Sequence, residues 1–238
     1  MNAVEERRSA IGRSGLFTLA FLLAEAVLYY FIMTAGGETL KYCCFASVVL
    51  CFIYSLPFLR ISPYITAGLG LTVGADFFLV LCSASVRLWG MVFFLGVQSV
   101  YAVYLHRALR RPLLITVRIC LAVLAVAATV AVLGKRTDPL ALVSLCYYAF
   151  LAVNILCACL RFRSGRLFAL GLVLFLLCDT VIGLQVAAEG YLPIAEDTWL
   201  YGLIFSGFNL AWFFYLPSQV LIALSSRKGV FFKKRRGG

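Results

Sequence analysis

Apolar and polar positions along the chain form long blocks rather than a short-period alternation. Eight apolar blocks are separated by short polar breaks, and each is close to the roughly 20 residues that a helix needs to cross a bilayer. The breaks carry residues that end helices, such as Gly36-Gly37, Ser62-Pro63 and Asp138-Pro139. The blocks therefore predict eight transmembrane helices, over residues 15–35, 39–59, 64–83, 87–106, 112–134, 138–160, 165–187 and 200–225.

Composition supports an all-α integral membrane bundle. The chain has 238 residues, of which 63% are hydrophobic and 13% are charged, a balance typical of membrane proteins. The first block has no small-residue cleavage site, so we interpret it as a retained helix rather than a secretory signal. We expect a cytoplasmic N-terminal segment over residues 1–14, one transmembrane domain over 15–225 and a basic cytoplasmic tail over 226–238.

The net charge of +11 predicts an orientation rather than a nucleic-acid partner, because the basic residues lie in short loops and tails beside the blocks. With the N-terminus inside, sixteen basic residues lie on the cytoplasmic side and four on the other, with Arg118 left inside a block. We expect both termini in the cytoplasm and a multi-pass protein of the bacterial inner (plasma) membrane. The sequence does not indicate an oligomeric state.

Two aspartates, Asp76 and Asp179, lie inside apolar blocks in matching contexts. A glycine precedes each by eight residues, Gly68 and Gly171, and an aliphatic residue follows each by three. Both lie roughly 18–21 Å from the cytoplasmic end of their helices at 1.5 Å per residue. Because intramembrane acids usually face a bundle interior or a wet cavity, we expect a shared polar chamber. The matching contexts also suggest a duplicated four-helix unit.

Other polar residues within the blocks have two interpretations. Glu25 is either a third member of the acidic site or a residue satisfied by a tyrosine such as Tyr29. Gln98, with Tyr101 one turn further on, and Asn209 are either site residues or interhelical hydrogen-bond partners. Both alternatives stay open for each of these residues at the level of sequence.

Basic residues near the membrane surface also have two interpretations. Arg118 lies close to the cytoplasmic end of its helix and either extends to the interface or contacts a lipid phosphate. The tail over residues 227–236 interleaves cations with two phenylalanines. We expect this tail to lie on anionic lipids of the cytoplasmic leaflet.

Motifs for other chemistries are missing. The nine cysteines lie mostly within apolar blocks, and Cys157-x-Cys159 has no companion histidine or cysteine cluster with zinc spacing. The sequence has no Gly-x-Ser-x-Gly and no His-Glu-x-x-His, and its one histidine, His106, lies at the end of a block. We expect no metal and no other cofactor, so the carboxylates would carry any reaction.

Four short motifs in order resemble the YhhN/TMEM86 family of multi-span membrane proteins, the lysoplasmalogenases, over roughly residues 60–225. They are Gly74-Ala75-Asp76, Phe94-Leu-Gly-Val-Gln98-Ser-Val-Tyr101, Phe175-Leu-Leu-Cys178-Asp179 and Tyr215-Leu-Pro-Ser-Gln219. The chain departs from the family pattern at Gln98, where the family has histidine, and at Cys178, where it has serine. Ala75 also separates the glycine and aspartate that are usually adjacent.

The resemblance implies an eight-span fold and hydrolysis of the vinyl ether bond of lysoplasmalogens, which releases a fatty aldehyde. Asp76 and Asp179 would then be the catalytic pair, with a membrane lysophospholipid as substrate. Gln98 and Tyr101 would orient water or the ether oxygen, and Tyr215 and Gln219 would be further substrate contacts. Apart from the resemblance, we also expect Glu25 and Asn209 to contact the substrate, because they are polar residues within apolar blocks. The alternative is a non-hydrolytic transporter or lipid-binding protein with a midplane acidic site.

Overall fold

The computed structural model describes residues 3–109, 113–134, 137–190, 195–205 and 207–228. Within these ranges the chain is helical and contains no β-strand. The α-helices of the described ranges are α1 (Ala3–Thr34), α2 (Gly37–Ser55), α3 (Pro63–Asp76), α4 (Arg87–Leu109), α5 (Leu113–Leu133), α6 (Pro139–Leu160), α7 (Phe162–Gly190), α8 (Trp199–Ile204) and α9 (Leu210–Ser225).

Among the described residues, seven helices are long and apolar enough to cross a membrane, and α9 is a shorter apolar helix. This architecture confirms the predicted all-α membrane bundle. The spanning segments are Gly15–Thr34, Gly37–Phe58, Pro63–Leu81, Ala84–Arg107, Leu113–Ala131, Pro139–Leu160 and Gly165–Gly190. Helix α1 begins at Ala3, so the helical backbone extends into the polar segment before the first span. The tail over residues 229–238 lies outside the described residues.

The predicted continuous span over residues 200–225 is wrong, because the chain breaks between α8 and α9. Asn209 is the N-cap of α9, and its side-chain oxygen accepts a hydrogen bond from the Trp212 N–H at 3.4 Å. Such a cap satisfies an otherwise free donor at a helix start. The 16 residues of α9 extend only about 24 Å at 1.5 Å per residue, less than the hydrocarbon core of about 30 Å.

Helix α3 changes its winding directly after Asp76. The predicted span over residues 64–83 is not one regular helix, because the chain continues as a wider π-type turn over Phe77–Leu81. The Phe77 N–H is shared between the carbonyls of Val73 and Gly74. Such wide turns frequently lie at functional sites, and this one places the carboxyl of Asp76 at the end of the regular helix.

Close approaches of helices explain the two glycines that precede the aspartates. A methyl group on Gly68 would lie 2.7 Å from the Tyr101 hydroxyl oxygen of α4, and one on Gly171 would lie 2.7 Å from Ile222 Cγ1 of α9. Helix α3 packs most extensively on α4, and α7 on α9. Each glycine thus lets its helix approach a neighbour two turns before the aspartate.

The periphery of the bundle is apolar, as expected for a surface in contact with lipid. Helix α5 is the clearest case, since α6 is the one described helix on which it packs extensively. Its exposed large side chains are Leu113, Ile115, Ile119, Leu121, Val123, Leu124 and Val130. Arg118, in contrast, is buried on the inner side of α5, so it does not extend to the interface.

Candidate active site

Asp76 is enclosed at the end of α3. Its side chain is 3% exposed, and the Tyr215 hydroxyl of α9 donates a hydrogen bond to its Oδ2 at 2.5 Å. The Asn209 cap starts α9 less than two turns before Tyr215, and the Trp212 ring packs edge-on against the Tyr215 ring at 4.9 Å between centroids. The break before α9 therefore helps to fix the donor to Asp76.

Asp179 lies in the middle of α7 and is partly exposed. The hydroxyl of Tyr147, a buried residue of α6, donates a hydrogen bond to its Oδ2. At the next residue of each helix, the hydroxyls of Tyr148 and Thr180 are 2.9 Å apart. Two layers of polar contact therefore hold α6 against α7 at this level.

The two carboxyls belong to one cluster. The Phe175 ring lies between the two tyrosines, with centroids 5.5 Å from Tyr215 and 6.4 Å from Tyr147. Each of these two tyrosines donates to one of the aspartates, so both carboxyls lie at the edge of the same aromatic cluster. The structure thus brings the two sequence-predicted aspartates together, each with its own phenol donor.

No positive charge pairs with either carboxyl in the part of the chain that the structure describes. The side chains described as bonding to the two aspartates are the tyrosines, which carry no charge. Likewise, no group of three or more His, Cys, Asp and Glu side chains in the described ranges could hold a metal ion. The arrangement provides two carboxyl groups, which can donate and accept a proton, and two phenols that orient them.

Glu25 lies apart from this cluster. It is buried between α1 and α2, where Oε2 accepts a hydrogen bond from the Ser47 hydroxyl at 2.7 Å and Oε1 accepts one from the Cys51 thiol at 3.3 Å. The suggested Tyr29 partner is wrong, because the Tyr29 hydroxyl donates to the Phe213 carbonyl at 3.5 Å instead. That carbonyl is left free because Pro217, four residues later, has no N–H.

Gln98 and Tyr101 face different surroundings. The Gln98 side-chain oxygen accepts a hydrogen bond from Asn154 of α6 at 3.0 Å, so its described contact is an interhelical one. Tyr101 is fully buried, with its ring edge-on to Phe168 of α7 at 5.2 Å between centroids. Its hydroxyl has no hydrogen-bond partner among the described residues.

Two other predicted contacts lie on or next to α9. Gln219 is buried one turn after Tyr215, and neither polar atom of its amide has a partner in the described part of the chain. Gln219 thus has free hydrogen-bonding capacity close to the site. The Asn209 side-chain oxygen, in contrast, is used to cap α9.

Sequence reasoning missed Tyr147, the donor to Asp179. The two residues are 32 positions apart, and Tyr147 is one of 12 tyrosines in the chain. No local spacing signal distinguishes it from the others. Tyr215, which was predicted through a motif, donates to Asp76 across 139 positions.

Fold and site together define a multi-pass membrane protein with a pair of carboxyl groups held inside its helix bundle. The chain belongs to the YhhN family, whose family model matches residues 39–226. The match includes both aspartates and both tyrosine donors, whereas Glu25 on α1 lies before it. No curated protein and no solved structure matches the chain.

Proposed function

We propose that the protein is a membrane hydrolase that cleaves the vinyl ether bond of lysoplasmalogens. The observation that carries this proposal is the pair of carboxyls in one cluster, Asp76 and Asp179, each fixed by its own tyrosine hydroxyl. Membership of the YhhN family fits the same activity. The location inside an apolar bundle suits a single-chain lipid that enters from the leaflet.

Vinyl ether hydrolysis needs the two functions that a carboxyl pair supplies. An acid protonates the alkene carbon remote from the ether oxygen, which leaves an oxocarbenium ion at the neighbouring carbon. A base takes a proton from water as the water oxygen attacks this ion, and a hemiacetal forms. The hemiacetal then breaks its carbon–oxygen bond, the departing alcohol gains a proton, and the hemiacetal hydroxyl loses one to become the aldehyde. Paired carboxylates perform comparable steps in glycoside hydrolysis.

The different exposures of the two carboxyls suggest a division of these roles. Asp179 is the more exposed of the two side chains, and we assign it the activation of water. Asp76 is 3% exposed and is assigned the initial proton donation, for which solvent access is not required. Tyr215 and Tyr147 are positioning residues, since each donates a hydrogen bond to one oxygen, Oδ2, of its aspartate. The second carboxyl oxygen of each aspartate is then the one assigned to the reaction.

We also propose a membrane location, an orientation and lipid partners for the enzyme. The substrate is a lysophospholipid of the membrane, and the protein lies in the bacterial plasma membrane. Both termini lie in the cytoplasm, which requires α8 and α9 together to make the eighth crossing. The basic tail, whose last ten residues lie outside the described ranges, would hold anionic lipids near the cytoplasmic surface.

Incubation of the purified protein with lysoplasmalogen, followed by detection of the fatty aldehyde, tests the function directly. We expect aldehyde to form in proportion to enzyme, and the alkyl ether analogue, which has no double bond to protonate, to remain intact. If wild type releases no aldehyde from any lysoplasmalogen headgroup class, the hydrolase proposal is wrong. Binding or transport of a lipid then becomes the function to test.

A further inference from the structure

A buried cation lies outside the carboxyl cluster. Arg118 of α5 is 3% exposed, and its Nη2 donates hydrogen bonds to Asn154 Oδ1 at 2.9 Å and to Cys157 Sγ at 3.6 Å. Both partners are on α6. Among the described residues no carboxylate pairs with this guanidinium. A charge buried without a counter-ion is unfavourable, so the absence of a carboxylate calls for a functional explanation.

Asn154 organises the groups around this cation. Its Nδ2 donates to the Gln98 backbone carbonyl at 2.8 Å and to Gln98 Oε1 at 3.0 Å, while its Oδ1 accepts from Arg118. The acceptor atom of the Gln98 side chain is therefore occupied, and its donor, Nε2, has no partner in the described ranges. Arg118 Nε is also buried without a partner there. One asparagine thus holds two residues, each with a free donor.

From these contacts we propose that Arg118 and Gln98 form an anion-binding site for a phosphate group, specifically the phosphodiester of a single-chain phospholipid. The site offers positive charge and N–H donors, and its described acceptors are already occupied. Guanidinium groups match the geometry of phosphate oxygens, and hydrogen bonds of this type are stronger than those between neutral groups. Neutral Asn154 holds the guanidinium without cancelling its charge.

The distance between this site and the carboxyls suits the length of a lysophospholipid. The choice of this lipid rests on the proposed function. On α6, Tyr147 and Asn154 lie on one face, about 10 Å apart along the axis at 1.5 Å per residue. On α4, Phe94 packs against Tyr147, and Gln98 follows one turn later. Seven bonds join the protonated carbon of the substrate to its phosphorus, and an extended zigzag of bonds of about 1.5 Å advances roughly 8–9 Å over that length. A substrate can therefore reach both sites.

Arg118→Gln, assayed on two substrates, tests the site. For lysoplasmalogen we expect the KM to rise at least about tenfold, the scale of one charge-assisted hydrogen bond. For an alkenyl glycerol, which has the same vinyl ether but no phosphate, we expect the KM and kcat of wild type. Arg60→Gln is the matched control, since it removes a positive charge from an exposed position, and both substrates should behave as in wild type. An equal loss on both substrates would overturn the proposal.

Asn154→Asp provides a second variant in case Arg118→Gln does not fold. It keeps the side-chain size but places a carboxylate against the guanidinium, so phosphate should be excluded. It also removes the two hydrogen bonds that Asn154 donates to Gln98, so a lower melting temperature is expected. We expect the same selective rise in KM for lysoplasmalogen. If Asn154→Asp folds and discriminates between the two substrates as wild type does, the anion site is wrong.

A binding measurement keeps this test separate from the hydrolase test. Thermal stabilisation is measured with an alkyl lysophospholipid, which cannot be hydrolysed, with the matching alkyl glycerol, and with inorganic phosphate. The proposal expects wild type to be stabilised more by the lysophospholipid than by the glycerol, and Arg118→Gln to lose that difference. This holds even if no aldehyde is ever released. Stabilisation by inorganic phosphate alone would assign the site to free phosphate and overturn the lipid assignment, and equal shifts in wild type and Arg118→Gln would overturn the site itself.

Discussion

The two aspartate regions of the molecule are similar in plan. In each, a glycine at a close helix contact precedes the aspartate by two turns, Gly68 before Asp76 and Gly171 before Asp179. In each, the helix with the aspartate packs most extensively on a later helix of the chain, α4 for α3 and α9 for α7. In each, a tyrosine hydroxyl from another helix donates to the carboxylate. This parallel agrees with a duplicated four-helix unit, which stays a prediction.

The two regions differ in how they hold the carboxyl. Asp76 ends a regular helix, is followed by the π-type turn and is almost fully buried. Asp179 lies within the regular part of α7, after the kink at Gly165, and is partly exposed. The donor to Asp76 comes from the capped and shorter α9, and the donor to Asp179 comes from the long α6. A shared local pattern thus yields two unequal carboxyls, which is what a division into acid and base requires.

Replacement of either carboxyl should have the largest effect. Asp76→Asn and Asp179→Asn keep size and hydrogen-bonding capacity but remove the proton that is exchanged. We expect each to lower kcat by at least about 100-fold, the low end for general acid–base catalysis, while the protein still inserts. Aldehyde release measures the rate, and gel filtration in detergent checks the fold. If wild type is active and both variants match its rate, the carboxylate mechanism is wrong.

A rescue experiment separates the two roles. Asp76→Ala and Asp179→Ala each leave room for a small carboxylate such as formate. Because Asp179 is the more exposed position, formate should restore part of the lost aldehyde release in Asp179→Ala and none in Asp76→Ala. The reverse order would exchange the assigned roles.

The tyrosine donors should have the next largest effect. Tyr215→Phe and Tyr147→Phe each remove one hydrogen bond to a carboxylate, which is a change of about 1.5–3 kcal/mol, or roughly 10–100-fold in rate if it is felt fully in the transition state. We expect Tyr215→Phe to be the more damaging because Asp76 has less access to a replacement water. Measurements of kcat and melting temperature test this order. Tyr148→Phe, next to Tyr147 but directed to Thr180, is the control and should stay closer to wild type.

Much of the fold was predictable because a membrane imposes long apolar helices on the sequence. Seven predicted spans agree with the described helices to within a few residues. The break before α9 was not predicted, although Gly207 and Asn209 are typical turn and cap residues. The apolar positions on both sides of them form one nearly continuous block. A hydropathy pattern shows such a block as one span, because it does not distinguish a helix-capping residue from an isolated polar residue within a helix.

The site was predictable only in part. A carboxyl within an apolar block stands out in any sequence, so Asp76 and Asp179 were found without a structure. Their donors depend on which helices are neighbours, and this is set by packing between residues far apart in the chain. Tyr147 therefore gave no signal, and Gln98 was expected near the carboxyls although its side chain bonds to Asn154.

The glycines should affect stability rather than chemistry. Gly171→Ala places a methyl group 3.0 Å from the Ser218 carbonyl oxygen and closer still to Ile222, so α7 and α9 must separate. We expect a loss of about 1–3 kcal/mol, as for other overpacked interiors, seen as a lower melting temperature. Gly183→Ala is the control in the same helix, since nothing lies within 4 Å of its added carbon. It should leave stability unchanged or raise it, and equal behaviour of the two variants would contradict the close contact.

The smallest effect is expected at the third buried carboxyl, Glu25, which tests whether burial of an acid is sufficient for a role in the reaction. Its oxygens are occupied by Ser47 and Cys51 between α1 and α2, and it precedes the residues that match the family. Both partners of Glu25 donate hydrogen bonds to it, so in Glu25→Gln the new NH₂ group faces one of these donors and one hydrogen bond is lost. We therefore expect the free energy of unfolding to fall by about 1 kcal/mol, the scale of one neutral hydrogen bond. The rate of aldehyde release at saturating substrate should stay within about fivefold of wild type, because 1 kcal/mol corresponds to that factor at most. A loss as large as that of Asp76→Asn, in protein that melts like wild type, would make Glu25 a third member of the site and break the two-carboxyl comparison.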